Sequence, residues 1–239
     1  LSIRRQRQMC IRDRSALEKV FLDERPVYRP ECMKLTALKG ETVSFQAACT
    51  CTSFMKNRVK VRIESPISDR IHVRKVENVP AGRVCGPIVD DNYLKTESGL
   101  YPDLLRELVD GEVDIFPQKW GSIWIDIEVT EDVKAGLYPV TVILEKDGET
   151  LARAALEVTI YDAVLPKQKM MHTEWFYLDC LADYYHVPVF SEEHWEIITN
   201  YLKEYVKRGC NMILTPLFTP ALDLSLIHIS EPTRQEAIS

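Results

Sequence analysis

The chain has 239 residues, with 30 Lys plus Arg against 36 Asp plus Glu, a formal net charge of −6, and 46% hydrophobic residues. That is ample for a packed core and for more than one domain. Outside the N-terminal stretch that carries Arg4, Arg5 and Arg7, the acidic balance has no basic cluster, which argues against a nucleic-acid or anionic-membrane partner, and no apolar run approaches the ~20 residues needed to span a bilayer.

At the N-terminus, Arg4 to Asp13, RRQRQMCIRD, resembles the in-frame translation of a transposon-type sequencing adapter. Leu224 to Arg234, LSLIHISEPTR, resembles the reverse complement of the same repeat followed by the opposite adapter. Residues 1–14 and 224–239 are therefore set apart from fold reasoning. The alternative for the first is a natural basic arm. What remains, Ser15 to Asp223, carries 24 basic and 33 acidic residues, a net charge of −9. It reads as an internal piece of a longer protein. Outside the set-aside ends the cysteines are Cys32, Cys49, Cys51, Cys85, Cys180 and Cys210. Their spacing matches neither a zinc ribbon nor a finger, and the expectation is free, buried thiols. Such usage suits a reducing cytoplasm, with secretion left open.

Residues 15–163 read as an antiparallel β-sandwich. Glu41 to Cys51 alternates Val43, Phe45, Ala47 and Cys49 against polar neighbours, the period of a half-buried strand. Arg58 to Ile63 and Arg70 to Val76 alternate in the same way. A Gly/Pro-punctuated stretch, Pro80 to Pro87, and a loop with Asp90, Asp91 and Tyr93 follow. Leu100 to Leu105 and Val113 to Trp120 read as turn-rich and aromatic. Trp120 to Val129 places Ile123, Ile125, Ile127 and Val129 on one face and Trp124, Asp126 and Glu128 on the other. Pro139 to Leu144 and Leu151 to Tyr161 are further strands, joined by the turn Lys146-Asp147-Gly148-Glu149. Short strands at close spacing, with little helical periodicity, indicate two packed sheets.

Residues 164–169, around Pro166, read as a linker, after which the period changes from 2 to 3.6. From 170 to 223 the expected order is an aromatic strand at Thr173, a loop carrying Asp179, Cys180, Asp183, Tyr184 and Tyr185, a helix, and an apolar strand from Asn211 to Leu217. Ser191 can cap the helix, Glu192 and Glu193 favour its positive end, Lys207 and Arg208 its negative end, and Gly209 can stop it. Trp195, Ile198, Leu202 and Tyr205 or Val206 form its expected inward stripe. Strand, helix, apolar strand is the repeating unit of a parallel sheet. The expected fold class is thus mostly β, a sandwich followed by the first βαβ unit of a truncated (β/α)8 barrel.

The words TEWFYLDCLADYY, FSEEHW and NMILTPLFTP, placed after a sandwich whose last strand ends in Ile160-Tyr161-Asp162, resemble glycoside hydrolase family 123, the β-N-acetylgalactosaminidases. The resemblance implies an amino-sugar glycoside as substrate, no cofactor, and retaining hydrolysis in which the substrate's own 2-acetamido oxygen attacks the anomeric carbon. It also implies an adjacent Asp-Glu pair on a later barrel strand. No such pair follows Lys169, and Asp23-Glu24 lies in an ordinary surface context at the start of the sandwich.

In a (β/α)8 barrel the residues just past the strand ends face substrate. The candidates for sugar binding are therefore Trp175, Asp179, Tyr184 and Tyr185 after the first strand, with Tyr177 and Cys180 beside them, and Thr215 and Phe218 after the second, with Thr219. Aromatic faces suit the apolar side of a sugar, and carboxylates or hydroxyls suit its OH groups. Structural alternatives stand beside these readings: a capping role for Asp179, loop packing against the sandwich for Tyr184 and Tyr185, and core filling for Trp175. No metal is expected from His172, His186 and His194, which lack convergent spacing. Cys180 lacks an identifiable base and reads as structural. Two other functions fit the same residues, a sandwich-plus-barrel glycosidase using two enzyme carboxylates and a non-catalytic carbohydrate-binding protein.

Overall fold

Strict alternation in β8 (Gly121–Val129) puts Ile123, Ile125 and Ile127 on one face, and each is 0% exposed. These positions come from a computed structural model, which describes residues 9–27, 34–82 and 93–215. The chain divides between Leu165 and Pro166 into two compact units.

The first unit is a sandwich of two five-stranded sheets. Besides β8 its strands are β1 (Met9–Ser15), β2 (Lys34–Lys39), β3 (Glu41–Cys51), β4 (Asn57–Glu64), β5 (Ile71–Ala81), β6 (Gly99–Glu107), β7 (Glu112–Ile115), β9 (Gly136–Lys146) and β10 (Glu149–Val164). One sheet has the order β1-β3-β8-β5-β6 and the other β2-β10-β9-β4-β7. Phe45, Ala47 and Cys49 from β3 meet Val140, Val142 and Leu144 from β9 and Leu156, Val158 and Ile160 from β10 in one core. The β9–β10 hairpin turns on Asp147-Gly148, with φ of 52° and 78°, backbone that matches the twist of the strands it joins, which is why Asp-Gly is selected there. A second Asp-Gly turn, Asp110-Gly111 with φ of 55° and 70°, carries the chain from β6 in one sheet to β7 in the other.

Several expectations are revised. One pair of strands, β2 and β10, is parallel, with Val158 opposite Leu35. Strands far apart in sequence have no tight turn to force them antiparallel. Leu100 to Leu105, expected to be turn-rich, lies in the strand β6, whereas of Val113 to Trp120 only the residues up to Ile115 are strand, in β7, and the rest is irregular as expected; β5 runs on through Pro80 to Ala81, opposite Leu100 and Gly99 of β6. Strand β3 is buried on both faces: Gln46 and Ala48, on its second face, are also buried. The segment after β1 covers that face, where Gln46 Nε2 donates to the carbonyls of Ser15 at 3.1 Å and Glu18 at 2.8 Å. Val20, Ala48 and Trp120 pack together beneath it. Asp126 is buried as well, accepting from Ser44 Oγ at 2.5 Å and Trp124 Nε1 at 2.7 Å and pairing with Arg74. A buried carboxylate is tolerated when its acceptor sites are filled in this way.

Residues 1–14 were set aside on sequence grounds, yet Met9–Ser15 is the edge strand β1, antiparallel to β3. An open sheet edge offers unpaired backbone groups to any extended segment, whatever its side chains. Met9 and Ile11 reach the core margin. Asp13, opposite the inward-facing Ala47, continues that face with a carboxylate whose Oδ1 is buried without a partner. Burial pushes the Asp13 carboxyl up from 3.8 to about 6. The folded state therefore binds its proton more tightly than the unfolded chain, and this stabilisation is complete below the ordinary pKa and lost as pH rises through the raised one. In urea unfolding, Asp13→Asn should remove a loss of about 1–2 kcal/mol that the unaltered chain suffers between about pH 4 and pH 6, the full shift being discounted for the exposed part of the side chain. Parallel pH profiles of the two proteins would contradict the assignment.

Candidate functional site

The second unit contains β11 (Thr173–Trp175), α1 (Leu178–Tyr185), α2 (Glu192–Lys207) and β12 (Met212–Leu214). The strands are parallel, with Thr173 opposite Met212, Glu174 opposite Ile213 and Trp175 opposite Leu214. The Phe176 N–H extends the ladder to the Leu214 carbonyl at 2.9 Å. Trp175 and Thr215 are thereby brought to the carboxyl ends of neighbouring parallel strands.

The segment Leu178–Tyr185, expected as a loop, is helical. It is short, rich in residues of middling helix propensity, and lacks a glycine stop, so its periodicity is faint. His186 ends it instead, at φ 56°, with the Val187 N–H bonded to the Ala182 carbonyl at 3.0 Å.

Helix α2 begins as its sequence implies. The Ser191 hydroxyl accepts from the His194 N–H at 3.2 Å, and Phe190 stacks on Trp195 at 5.6 Å. The two rings form a hydrophobic staple across the cap. Gly209, at φ 89°, lies just beyond the helix end. The inward stripe differs from expectation by one residue, since His194 is 0% exposed and Trp195 is 46% exposed. The imidazole can be buried because both nitrogens are used. Nδ1 accepts from the Phe190 N–H at 2.9 Å, so Nε2 carries the proton and donates to the Leu178 carbonyl at 2.8 Å. His194 thus ties α1, the cap and α2 together as a neutral ring.

Tyr205, farther along α2, performs the same service for the strands. Its hydroxyl accepts from the Glu174 N–H, and its proton faces the carbonyls of Glu174 at 3.0 Å and Met212 at 3.1 Å. The Phe176 ring lies 6.0 Å from the Tyr205 ring, and Trp175 meets Tyr177 at 5.7 Å.

The expected site residues are thus partly gathered. Trp175, Tyr177 and Thr215 lie at the strand ends. Asp179 is in the first turn of α1, where its Oδ1 accepts from the Cys180 N–H at 3.1 Å, a position the helix dipole favours. Tyr184 and Tyr185 are at the other end of α1. They meet edge to face at 5.0 Å, and the Tyr185 hydroxyl lies 3.0 Å from that of Tyr201 on α2. That hydrogen bond, then burial, raises the Tyr201 hydroxyl above its ordinary pKa. Tyr185 accordingly joins the two helices. Phe218 and Thr219 lie outside the described residues.

Cys180 is exposed, contrary to expectation, whereas Cys49, Cys51 and Cys210 are buried. Burial pushes the Cys49 thiol up to about 12. Asp23 and Glu24 both pair with Lys95, at 3.2 and 2.6 Å, on the surface. Among the described residues no three His, Cys, Asp or Glu side chains converge on a metal position, and no helix is long and apolar enough to cross a membrane. Sequence reasoning missed the positioning roles of His194, Tyr201 and Tyr205. The helical spacing of 194, 198, 201 and 205 was the available signal, obscured because polar-tipped residues occupy three of the four places.

Parts of this chain have counterparts among known proteins. The family model for the catalytic domain of glycoside hydrolase 123 matches residues 175–234, and the chain resembles that family. Among solved structures, a family 123 glycoside hydrolase from Clostridium perfringens, described for glycolipid glycan hydrolysis, superposes with a TM-score of 0.63 at 15% identity. The match covers 86% of this chain and 37% of the Clostridium enzyme, and at that identity it shows the fold. The N-terminal domain of PorA (TM-score 0.31, 10% identity, 64% of this chain and 99% of that one) also matches. So does a β-glucosidase from Listeria innocua (TM-score 0.30, 11% identity, 66% and 16%). No curated protein matches the chain.

Replacing His194 by Phe preserves bulk but leaves the Phe190 N–H and the Leu178 carbonyl unpaired, and should destabilise the second unit by about 2–5 kcal/mol. Tyr205→Phe, which removes only the hydroxyl, should cost about 1–3 kcal/mol. Denaturant unfolding followed by the fluorescence of Trp175 and Trp195 reads both, and unchanged midpoints would refute the positioning roles.

Proposed function

We propose that this chain contributes the sandwich and the first strands and helices of the barrel of a retaining β-N-acetylgalactosaminidase. The parallel register of β11 and β12, which carries Trp175 and Thr215 to one rim, supports the reading most directly, together with the family 123 match over 175–234. Barrel enzymes assemble their sites at this end of the strands.

In the proposed reaction the 2-acetamido oxygen of the sugar attacks the anomeric carbon while a glutamic acid protonates the departing glycosidic oxygen. An adjacent aspartate orients the acetamide, and the same Glu, now a carboxylate, deprotonates the water that opens the cyclic intermediate. Both acids come from a further barrel strand, since Asp23-Glu24 is held by Lys95 in the sandwich. The present residues form one wall. Trp175 is assigned to the apolar face of the ring, a role the sequence also gives Phe218, and Asp179 and Thr215 are assigned to its hydroxyls; Tyr184 and Tyr185, at the other end of α1, are the weakest members of the proposed set, and Tyr185 already bonds Tyr201. The chain alone, lacking the acids, turns nothing over. The substrate is a carbohydrate, with neither nucleic acid nor membrane as partner.

A parent protein extended through the remaining barrel strands should hydrolyse an aryl β-N-acetylgalactosaminide with retention, and should lose that activity when the 2-acetamido group is replaced by hydroxyl. Trp175→Ala in that parent should lower kcat/KM by about ten- to a hundredfold. Equal turnover of the 2-hydroxy substrate would favour a two-carboxylate glycosidase. Sugar binding without turnover would favour a non-catalytic protein. Hydrolysis by the present chain alone would contradict the assignment of the acids.

A further inference from the structure

The amino ends of β11 and β12 carry a second group of chemistry-bearing side chains, at the opposite end of the strands from Trp175 and Thr215. His172 immediately precedes β11, and Cys210 lies two residues before β12. The backbone fixes the two against each other. The His172 carbonyl accepts from the N–H groups of Asn211 at 3.1 Å and Met212 at 3.2 Å, and the His172 N–H donates to Asn211 Oδ1 at 2.8 Å. Cys210 is anchored from the helix as well, its N–H donating to the Tyr205 carbonyl at 3.2 Å.

Within that frame three side chains form a line. Cys210 Sγ lies 3.8 Å from His172 Nδ1, and His172 Nε2 lies 3.2 Å from Glu174 Oε1. Glu174 is two residues on from His172, the spacing that returns to the same face of a strand. An Nε2–H donating to the Glu174 carboxylate leaves the Nδ1 lone pair toward the thiol. The imidazole is then set to take the thiol proton, and the carboxylate beyond it stabilises the imidazolium that results. A nucleophile, a base within its reach and a third group that orients the base are the parts that make a thiol reactive. The other described cysteines lack this set. Cys180 is exposed but has no imidazole partner among the described residues. Burial holds the Cys49 thiol up at about 12, and Cys51 Sγ faces the Ile115 carbonyl at 3.5 Å.

Access narrows the reagent. Cys210 is 7% exposed, whereas the His172 and Glu174 side chains reach solvent. A bulky electrophile is kept from such a sulfur. A small one whose departing oxygen must be protonated uses His172 twice, once to receive the thiol proton and once to return it.

We infer that Cys210 is a modification site for small hydroperoxides, with His172 carrying its proton and Glu174 positioning His172. The thiol passes its proton to His172 Nδ1. The thiolate attacks one peroxide oxygen, the S–O bond forms as the O–O bond breaks, and the departing oxygen takes the proton back from His172. With hydrogen peroxide the products are the Cys210 sulfenic acid and water, the sulfur being oxidised by two electrons and the peroxide reduced by the same two. The site does not rest on the proposed glycosidase, because it uses the other end of the strands.

The test exposes the intact chain to hydrogen peroxide under native conditions, stops the reaction with catalase, unfolds the protein, alkylates the surviving thiols and follows each cysteine by peptide mass spectrometry. Cys210 should be oxidised at least about tenfold faster than Cys180, despite its burial. Glu174→Gln, a change to an exposed side chain, should slow Cys210 about three- to tenfold, and His172→Gln should slow it about tenfold or more, with Cys180 unchanged in both. A role in packing alone has the opposite sign, because loosening the chain around a buried sulfur speeds its oxidation. A Cys210 rate at or below that of Cys180 in the unaltered chain overturns the inference. So does a Cys210 rate that holds or rises in Glu174→Gln, whatever His172→Gln does to folding, and so does one that holds in a folded His172→Gln.

Discussion

The sandwich depends on one constraint, the alternation of β8 between a fully apolar inward face and a polar outward face that is itself covered. Ile123, Ile125 and Ile127 join the two sheets, and β8 is hydrogen-bonded to β3 on one side and β5 on the other. A one-residue slip would exchange these side chains for Ser122, Trp124 and Asp126, placing a carboxylate in the core. Register is therefore fixed from the centre outward. The outward face could be covered only because its polar groups found partners, Asp126 with Ser44, Trp124 and Arg74, and Gln46 with the chain that crosses it.

The second unit is built on a different principle. Its strands are three residues long, too short to secure themselves by ladder hydrogen bonds, and their alignment is held by side chains reaching in from the helices. Tyr205 bonds both strands, and His194 bonds both helices and the cap. The rim on which Trp175 and Thr215 sit is thus positioned by residues that do not face it. Polar tips on an otherwise inward helix face allow a small unit to fix orientation as well as bury surface.

Much of this could be read in the chain beforehand. The β8 alternation, the Lys146-to-Glu149 turn, the Ser191 cap and the position of Gly209 each follow from local chemistry, which the tertiary fold obeys. What escaped were features decided by distant partners. Strand β6 reads as turns because Pro102 and Asp103 disfavour a strand, and it forms against β5 on an edge that tolerates them. The direction of β2 is set by β10, more than a hundred residues away. Helix α1 lacks both a strong stop and a strong period. In the candidate site, the aromatic word around Trp175 was legible, but Tyr185 and Tyr201 could be recognised as partners only once α1 and α2 were known to lie side by side.

The three contacts of the Tyr205 hydroxyl make it a gauge of alignment between β11 and β12. If either strand moved along its neighbour by one residue, the Met212 carbonyl would swing away from the ring while Glu174 stayed, and the phenol would hold one strand and lose the other. A helix side chain thus discriminates between alternative offsets that the short backbone ladder would accept almost equally, and a distant stretch of α2 decides which two residues stand side by side at the mouth of the unit.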